Sequence, residues 1–153
     1  MKYIVLVISF IITSCLHSGA QTYSGSASGN FIVYSMQSLT ITNTGGVISF
    51  STPNDYFNGV IANKYANIEV KSNKNWIISF AAQSTYFTAL SKGASADMPA
   101  GVMGIRVNGH SSFKTLTTQS QTLKDGSKGS GYDFDIDVNF NPGFKYSGGL
   151  YNI

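Results

Sequence analysis

Cysteine, histidine and charge are the scarce materials of this chain. It has one cysteine, two histidines and three prolines, and only 11% of its 153 residues are charged. A single thiol closes no internal disulfide, so the fold must rest on an apolar core and backbone hydrogen bonds. Zinc sites want several His or Cys ligands, and a Ser-His-Asp triad wants an imidazole held beside an activated serine. His110 follows Asn108-Gly109 as an exposed turn residue, and no Gly-x-Ser-x-Gly elbow is present, so neither chemistry is expected. Of the seven acidic residues, Asp55, Glu69 and Asp97 read as ordinary solvated carboxylates rather than a glycosidase pair. The expectation is a protein without catalytic residues, metal or cofactor.

Long apolar runs are missing too. The longest, Tyr3 to Ile12, covers about ten residues against the ~20 that span a bilayer. Preceded by Lys2 and followed by the small residues Ser18-Gly19-Ala20, it has the build of a secretory signal peptide over residues 1–20, cleaved before Gln21. Ile12-Thr13-Ser14-Cys15 also resembles a bacterial lipobox, and a membrane enters only if Cys15 is lipidated. Either route places the chain outside the inner membrane, secreted or at the cell surface. Basic residues show no clustering: Lys64, Lys71, Lys74, Lys92, Lys114, Lys124, Lys128 and Lys145 are scattered. Nucleic-acid binding needs them on one face, so no nucleic-acid partner is expected.

What remains is rich in Ser, Thr, Asn, Gly and aromatics. Residues 21–30 hold too little apolar surface to pack and read as a flexible leader to a single domain over 31–153. From Phe31 the period becomes that of strands. Ala66, Ile68 and Val70 alternate with Asn67, Glu69 and Lys71, and Trp76, Ile78 and Phe80 share the next apolar face. Asn108-Gly109 and Asp125-Gly126 are hairpin signals of type I′ kind, and Asn43-Thr-Gly-Gly46 and Lys71-Ser-Asn-Lys-Asn75 punctuate the earlier strands. No segment shows helical period. The predicted fold is all-β, an antiparallel β-sandwich of Ig-like or pilin-like type. Its expected core comprises Ile32, Leu39, Ile41, Ile48, Phe50, Ile68, Val70, Trp76, Ile78, Phe80, Ile105, Val107, Phe134, Ile136, Val138 and Phe140.

Two constellations carry candidate chemistry. Asp133, Asp135, Asp137 and Asn139 alternate with Phe134, Ile136, Val138 and Phe140, which places four oxygen-bearing side chains on one strand face. Neighbours on that face stand nearly 7 Å apart, too far to share a cation unaided, so the expectation is a solvated outer face. Tyr56-Phe57, between Asp55 and Asn58-Gly59, fits a core position poorly. An exposed aromatic pair of this kind is a candidate glycan platform, and a carbohydrate-binding module is the alternative function.

Met98-Pro-Ala-Gly-Val102, Ile105-Arg-Val107 with its Asn108-Gly109 turn, and Lys145-Tyr-Ser-Gly-Gly149 resemble segments of secreted bacterial fimbrial subunits, pilin-like and of the cysteine-free alternate type. In that family a similar Tyr-Ser-Gly precedes the last strand. Family members continue with a full alternating strand, whereas this sequence reads Leu150-Tyr-Asn-Ile153. If that is the natural end, the resemblance implies an open edge and a groove filled by a partner's extended segment. Phe144, Tyr146, Leu150, Tyr151 and Ile153 are then the expected interface, with a protein partner or by self-association. The family's donor segment would fall on 21–30, where Tyr23 stands alone among small residues, an expected poor donor. The function implied is an extracellular structural or adhesive protein of the bacterial surface.

Overall fold

The structure, a computed structural model, describes residues 32–153. The expected signal peptide, leader and Cys15 lie outside the described residues, and Tyr34–Ile153 forms one compact unit. In chain order the elements are β1 (Gln37–Asn43), the helix α1 (Pro53–Asn58), β2 (Val60–Ser72), β3 (Trp76–Phe80), β4 (Thr88–Ala89), a 3-10 turn (Ala100–Val102), β5 (Met103–Val107), β6 (Lys114–Thr115), β7 (Gln121–Gly126), β8 (Gly129–Phe140) and β9 (Tyr151–Asn152). Every pairing between them is antiparallel. One sheet has five strands in the order β1-β2-β8-β5-β6, and β3-β7 and β4-β9 form two-stranded sheets.

Alternation builds the core as the sequence implies. Register sets Ile68 opposite Phe134 and Val107 opposite Ile136, so these side chains emerge on one face. Trp76 joins Ile68, Val70, Val107 and Phe134 in one buried cluster, with Ile78, Leu123, Tyr132 and Ile136 packed against it. Burying each such side chain contributes about 1.5–3 kcal/mol. Met98, Phe87, Leu116 and Ala100 are also buried. Met98, Phe87 and Ala100 fall in the stretch from Ser84 to Val102, which has no alternation to read, and Leu116 follows the two-residue strand β6, too short to show a period.

Three expected core residues are exposed. Ile32 lies outside the compact unit, and Leu39 and Ile41 are 54% and 61% exposed on β1, at the sheet margin. They share the apolar face with Val70 and Ile68, their partners in register, but neither belongs to the cluster around Trp76.

The turns differ in mechanism from the expectation. At Asn108-Gly109 the His110 N–H donates to the Val107 carbonyl at 3.0 Å, and Gly109 alone has positive φ, 86°. That is type II rather than type I′ chemistry. Asp125-Gly126 makes no hairpin: both residues lie inside β7, opposite Ile77 and Trp76. Gly126 is required for space, since a Cβ there would sit 2.4 Å from the Trp76 ring.

Asp137 overturns the reading of its strand as a solvated face: it is fully buried, at 0% exposure. The cause is an irregularity in β2. Ala62 pairs with Val138 and Ala66 with Ile136, so Asn63, Lys64 and Tyr65 bulge opposite Asp137. Lys64 adopts φ 53°, the left-handed region, which is uncommon for a residue with a side chain. Its N–H donates to Asp137 Oδ1 at 3.0 Å, Asn108 Nδ2 donates to the same oxygen at 2.8 Å, and Arg106 Nε donates to Oδ2 at 2.9 Å. Arg106 is stacked in turn on the Phe113 ring, 4.2 Å from its centroid.

Burial pushes the Asp137 carboxyl up, but the Lys64 N–H, the Asn108 amide and the Arg106 guanidinium outweigh it and hold the group below its ordinary value. A lowered folded pKa contributes stability that is complete above the unfolded value of about 3.9 and is lost as pH falls through the folded value. Asp137→Asn is expected to cost about 3–5 kcal/mol, as breaking one side of a buried pair does. Urea denaturation should show that deficit unchanged from pH 5 to 8 and shrinking only at acid pH below the carboxylate range.

Candidate functional site

Helix α1 carries the aromatic pair singled out in the sequence. Thr52 is its N-cap, Pro53 opens the first turn, and Asp55 completes a capping box. The Asp55 carboxylate accepts from the Thr52 and Ser51 N–H groups, both at 2.8 Å, so it is no ordinary solvated acid. These two backbone bonds hold its pKa below the usual carboxylate value. Gly59 ends the helix at φ 74°, where a Cβ would meet the Phe140 carbonyl at 2.9 Å. The helix has six residues and no apolar period. Its only sequence signal is the Thr52-Pro53-Asn54-Asp55 cap.

The cap sets the direction in which Tyr56 and Phe57 leave the backbone. Tyr56 is half-buried and stacks on Phe144 with centroids 5.1 Å apart and planes at 26°. Phe57 meets the edge of the same ring at 4.8 Å. On its other side Tyr56 meets Phe50 at 5.2 Å, Phe50 meets Phe140 at 5.5 Å, and Phe140 meets Phe87 at 5.3 Å. A continuous row of rings thus runs from exposed Phe57 to buried Phe87, its contacts stacked, tilted or edge-on with centroids 4.8 to 5.5 Å apart.

Beside this row lies a cleft of about 660 Å³, walled by Phe50, Tyr56, Tyr65, Phe87, Phe140 and Tyr146 among others. The chain from Gly45 to Ser49 and the segment from Tyr146 to Ile153 form its remaining sides. Gly45 must be glycine here, because a Cβ would lie 2.2 Å from the Tyr65 ring. The C-terminal wall is tied down at several points. The Leu90 N–H donates to the Leu150 carbonyl at 2.8 Å, and the Leu150 and Ser147 N–H groups donate to the Ser91 and Ser95 hydroxyls at 2.8 Å each. Tyr151 donates its hydroxyl to the Ser147 carbonyl and accepts from the Ser95 N–H at 2.9 Å. Gly149 fits only without a side chain, since a Cβ would stand 2.6 Å from Ala94 Cβ.

Two sets of residues that are far apart in sequence therefore meet at one place. Tyr56 lines the cleft together with Tyr146, Leu150, Tyr151 and Ile153. Phe144 and Phe57 form the exposed end of the ring row, at 60% and 71% exposure. Phe50, Tyr65, Phe87 and Phe140 complete the wall. No lining side chain among the described residues is a carboxylate, an imidazole or an amine, so the side chains offer apolar contact, hydroxyls and amides.

The acidic strand is already engaged within the protein. Asn67 Nδ2 donates to both Asp133 and Asp135, and Lys64 lies 3.4 Å from Asp135. Among the described residues no helix is long and apolar enough to cross a membrane. The chain matches no protein-family model, and no curated protein resembles it significantly in sequence.

Replacing Asp55 with Ala should release the cap. Amide exchange at Ser51 and Thr52 is expected to accelerate while exchange at Ile68 and Phe134 stays unchanged. Unaltered Ser51 and Thr52 exchange would contradict the role given to the carboxylate.

Proposed function

We propose that this chain is a structural or adhesive β-sandwich subunit of the bacterial cell surface, similar to a fimbrial subunit, that joins partners through an open strand edge. The observation that carries this reading is β1. It has seven residues, all exposed, and among the described residues it pairs on one side only. Soluble proteins blunt such edges with charge, proline or a bulge. Gln37-Ser-Leu-Thr-Ile-Thr-Asn43 has none of these, and it presents Leu39 and Ile41 to water. Support for the sandwich comes from the cluster in which Trp76, Ile78 and Leu123 of the β3-β7 ribbon meet Ile68, Val70 and Phe134 of the larger sheet. The C-terminal residues are the weaker candidate edge, because β9 is already paired with β4.

Aromatic geometry favours glycan binding as a second reading. Phe57 and Phe144 are exposed yet held, Phe57 edge-on to Phe144 and Phe144 stacked on Tyr56, an apolar platform of the kind that sugar rings cover.

Ile41→Lys separates the two. Ile41 is exposed, so folding stability should change by no more than about 0.5 kcal/mol. On producing cells the variant should drop out of high-mass surface assemblies, measured by surface labelling and size fractionation. Wild-type protein found only as free monomer in the medium would contradict the structural reading. Retention on a polysaccharide gel that is lost in Phe57→Ala and Phe144→Ala, with Ile41→Lys unaffected, would establish the glycan reading in its place.

A further inference from the structure

We propose that the occupant of the β1 edge is a second copy of the same strand, paired antiparallel about a two-fold axis through Thr40. This rests on the strand-edge reading above and names its partner. The sequence of β1 is close to palindromic about that residue: Leu39 mirrors Ile41, Ser38 mirrors Thr42, and Gln37 mirrors Asn43. Two-fold interfaces are self-complementary by necessity, and centring on Thr40 pairs the whole strand.

Backbone direction agrees with that register. Met36 points both of its backbone groups toward the β2–β3 turn: its N–H donates to Asn73 Oδ1 at 2.9 Å, and its carbonyl accepts from the Asn73 N–H at 3.1 Å. Thr44, at the other end, sends its N–H to the Tyr65 carbonyl on β2. Because strand groups alternate in direction, Ser38, Thr40 and Thr42 face β2, and Gln37, Leu39, Ile41 and Asn43 face outward. A dyad at Thr40 sets Leu39 opposite the copy's Ile41 and Gln37 opposite its Asn43, outward groups meeting outward groups. About eight new ladder hydrogen bonds follow, with Thr40 facing Thr40 as a non-hydrogen-bonded pair.

Side chains and charge fit as well. The axis stands perpendicular to the sheet, so Leu39 and Ile41 of both copies meet on the apolar face, and the threonines meet on the polar one. No charge opposes its like across the dyad, since β1 has none. The nearest charged residues, Glu69 and Lys71, are on β2 and are ion-paired with each other at 2.7 Å. Glu69 and its symmetry mate stand three strand spacings apart, roughly 14 Å, beyond the ~8 Å screening length of physiological salt.

Thr40→Cys tests the dyad directly. A non-hydrogen-bonded pair brings the two Cα atoms to about 4.5 Å, within disulfide reach. The variant purified from producing cells should form a covalent dimer under mild oxidation, to a much greater extent than the parent chain with its Cys15. Ser38→Cys alone should not, whereas a mixture of Ser38→Cys and Thr42→Cys should. Adding Ile41→Lys to Thr40→Cys should abolish the cross-link. Equal cross-linking of all three single cysteine variants, or none at Thr40→Cys, overturns the inference. If Thr40→Cys stays uncross-linked while Ile41→Lys still releases the protein from surface assemblies, the partner strand is another protein and the strand-edge reading survives.

Discussion

A single buried carboxylate organises the part of the molecule where the edge strand β1 and the aromatic cleft diverge. Asp137 sits on β8 with β2 on one side and β5 on the other, and it draws a donor from each direction: Lys64 from β2, Arg106 from β5 and Asn108 from the turn beyond it. A buried charge is tolerated only when it is paired and hydrogen-bonded in this way. What it stabilises is the bulge at Asn63–Tyr65, and the bulge in turn decides where β1 stops. The Tyr65 carbonyl accepts from the Thr44 and Gly45 N–H groups at 3.1 and 2.7 Å, and the Lys64 carbonyl accepts from the Thr44 hydroxyl. Pairing of β1 with β2 ends there, at Asn43 opposite Ala66.

From that point the chain leaves the sheet to become a wall of the aromatic cleft. Gly45 passes over the Tyr65 ring, Phe50 reaches Tyr56 and Phe140, and α1 begins at the Thr52 cap. The edge strand and the cleft are thus neighbours along the chain, divided by the bulge that Asp137 holds. The edge is a row of unpaired backbone groups with apolar side chains on one face. The cleft is a pocket of rings and hydroxyls. Both suit recognition by shape and apolar contact, with little help from charge.

Much of the sheet was legible because its residues alternate. Ile68, Val70, Trp76, Phe134 and Val138 could be placed inside from period alone, and they are buried. Leu39 and Ile41 have the same period but lie outside, because alternation reports which face a side chain shares and not whether another layer covers it. Asp137 was misread for a related reason. Its strand alternates faultlessly, and its burial comes from extra residues in a different strand, which no local pattern reveals. The short helix was hidden behind an aromatic pair, although Thr52 and Asp55 carried the capping spacing that would have shown it. The joining of Tyr56 with Tyr146 and Tyr151 in one cleft brings together segments some ninety positions apart, a long-range fact outside the reach of any window.

Assembly through the β1 edge is the claim on which this account rests. Residue-resolved hydrogen exchange on the protein in the proposed assembly, set against the monomer, addresses it without altering the chain. The account predicts that the outward-facing amides of Leu39 and Ile41 become protected on assembly, while those of Ser38, Thr40 and Thr42, already directed at β2, change little. Equal exchange of Leu39 and Ile41 in both states, with new protection confined to Tyr146–Ile153, would contradict it and place the interface at the cleft.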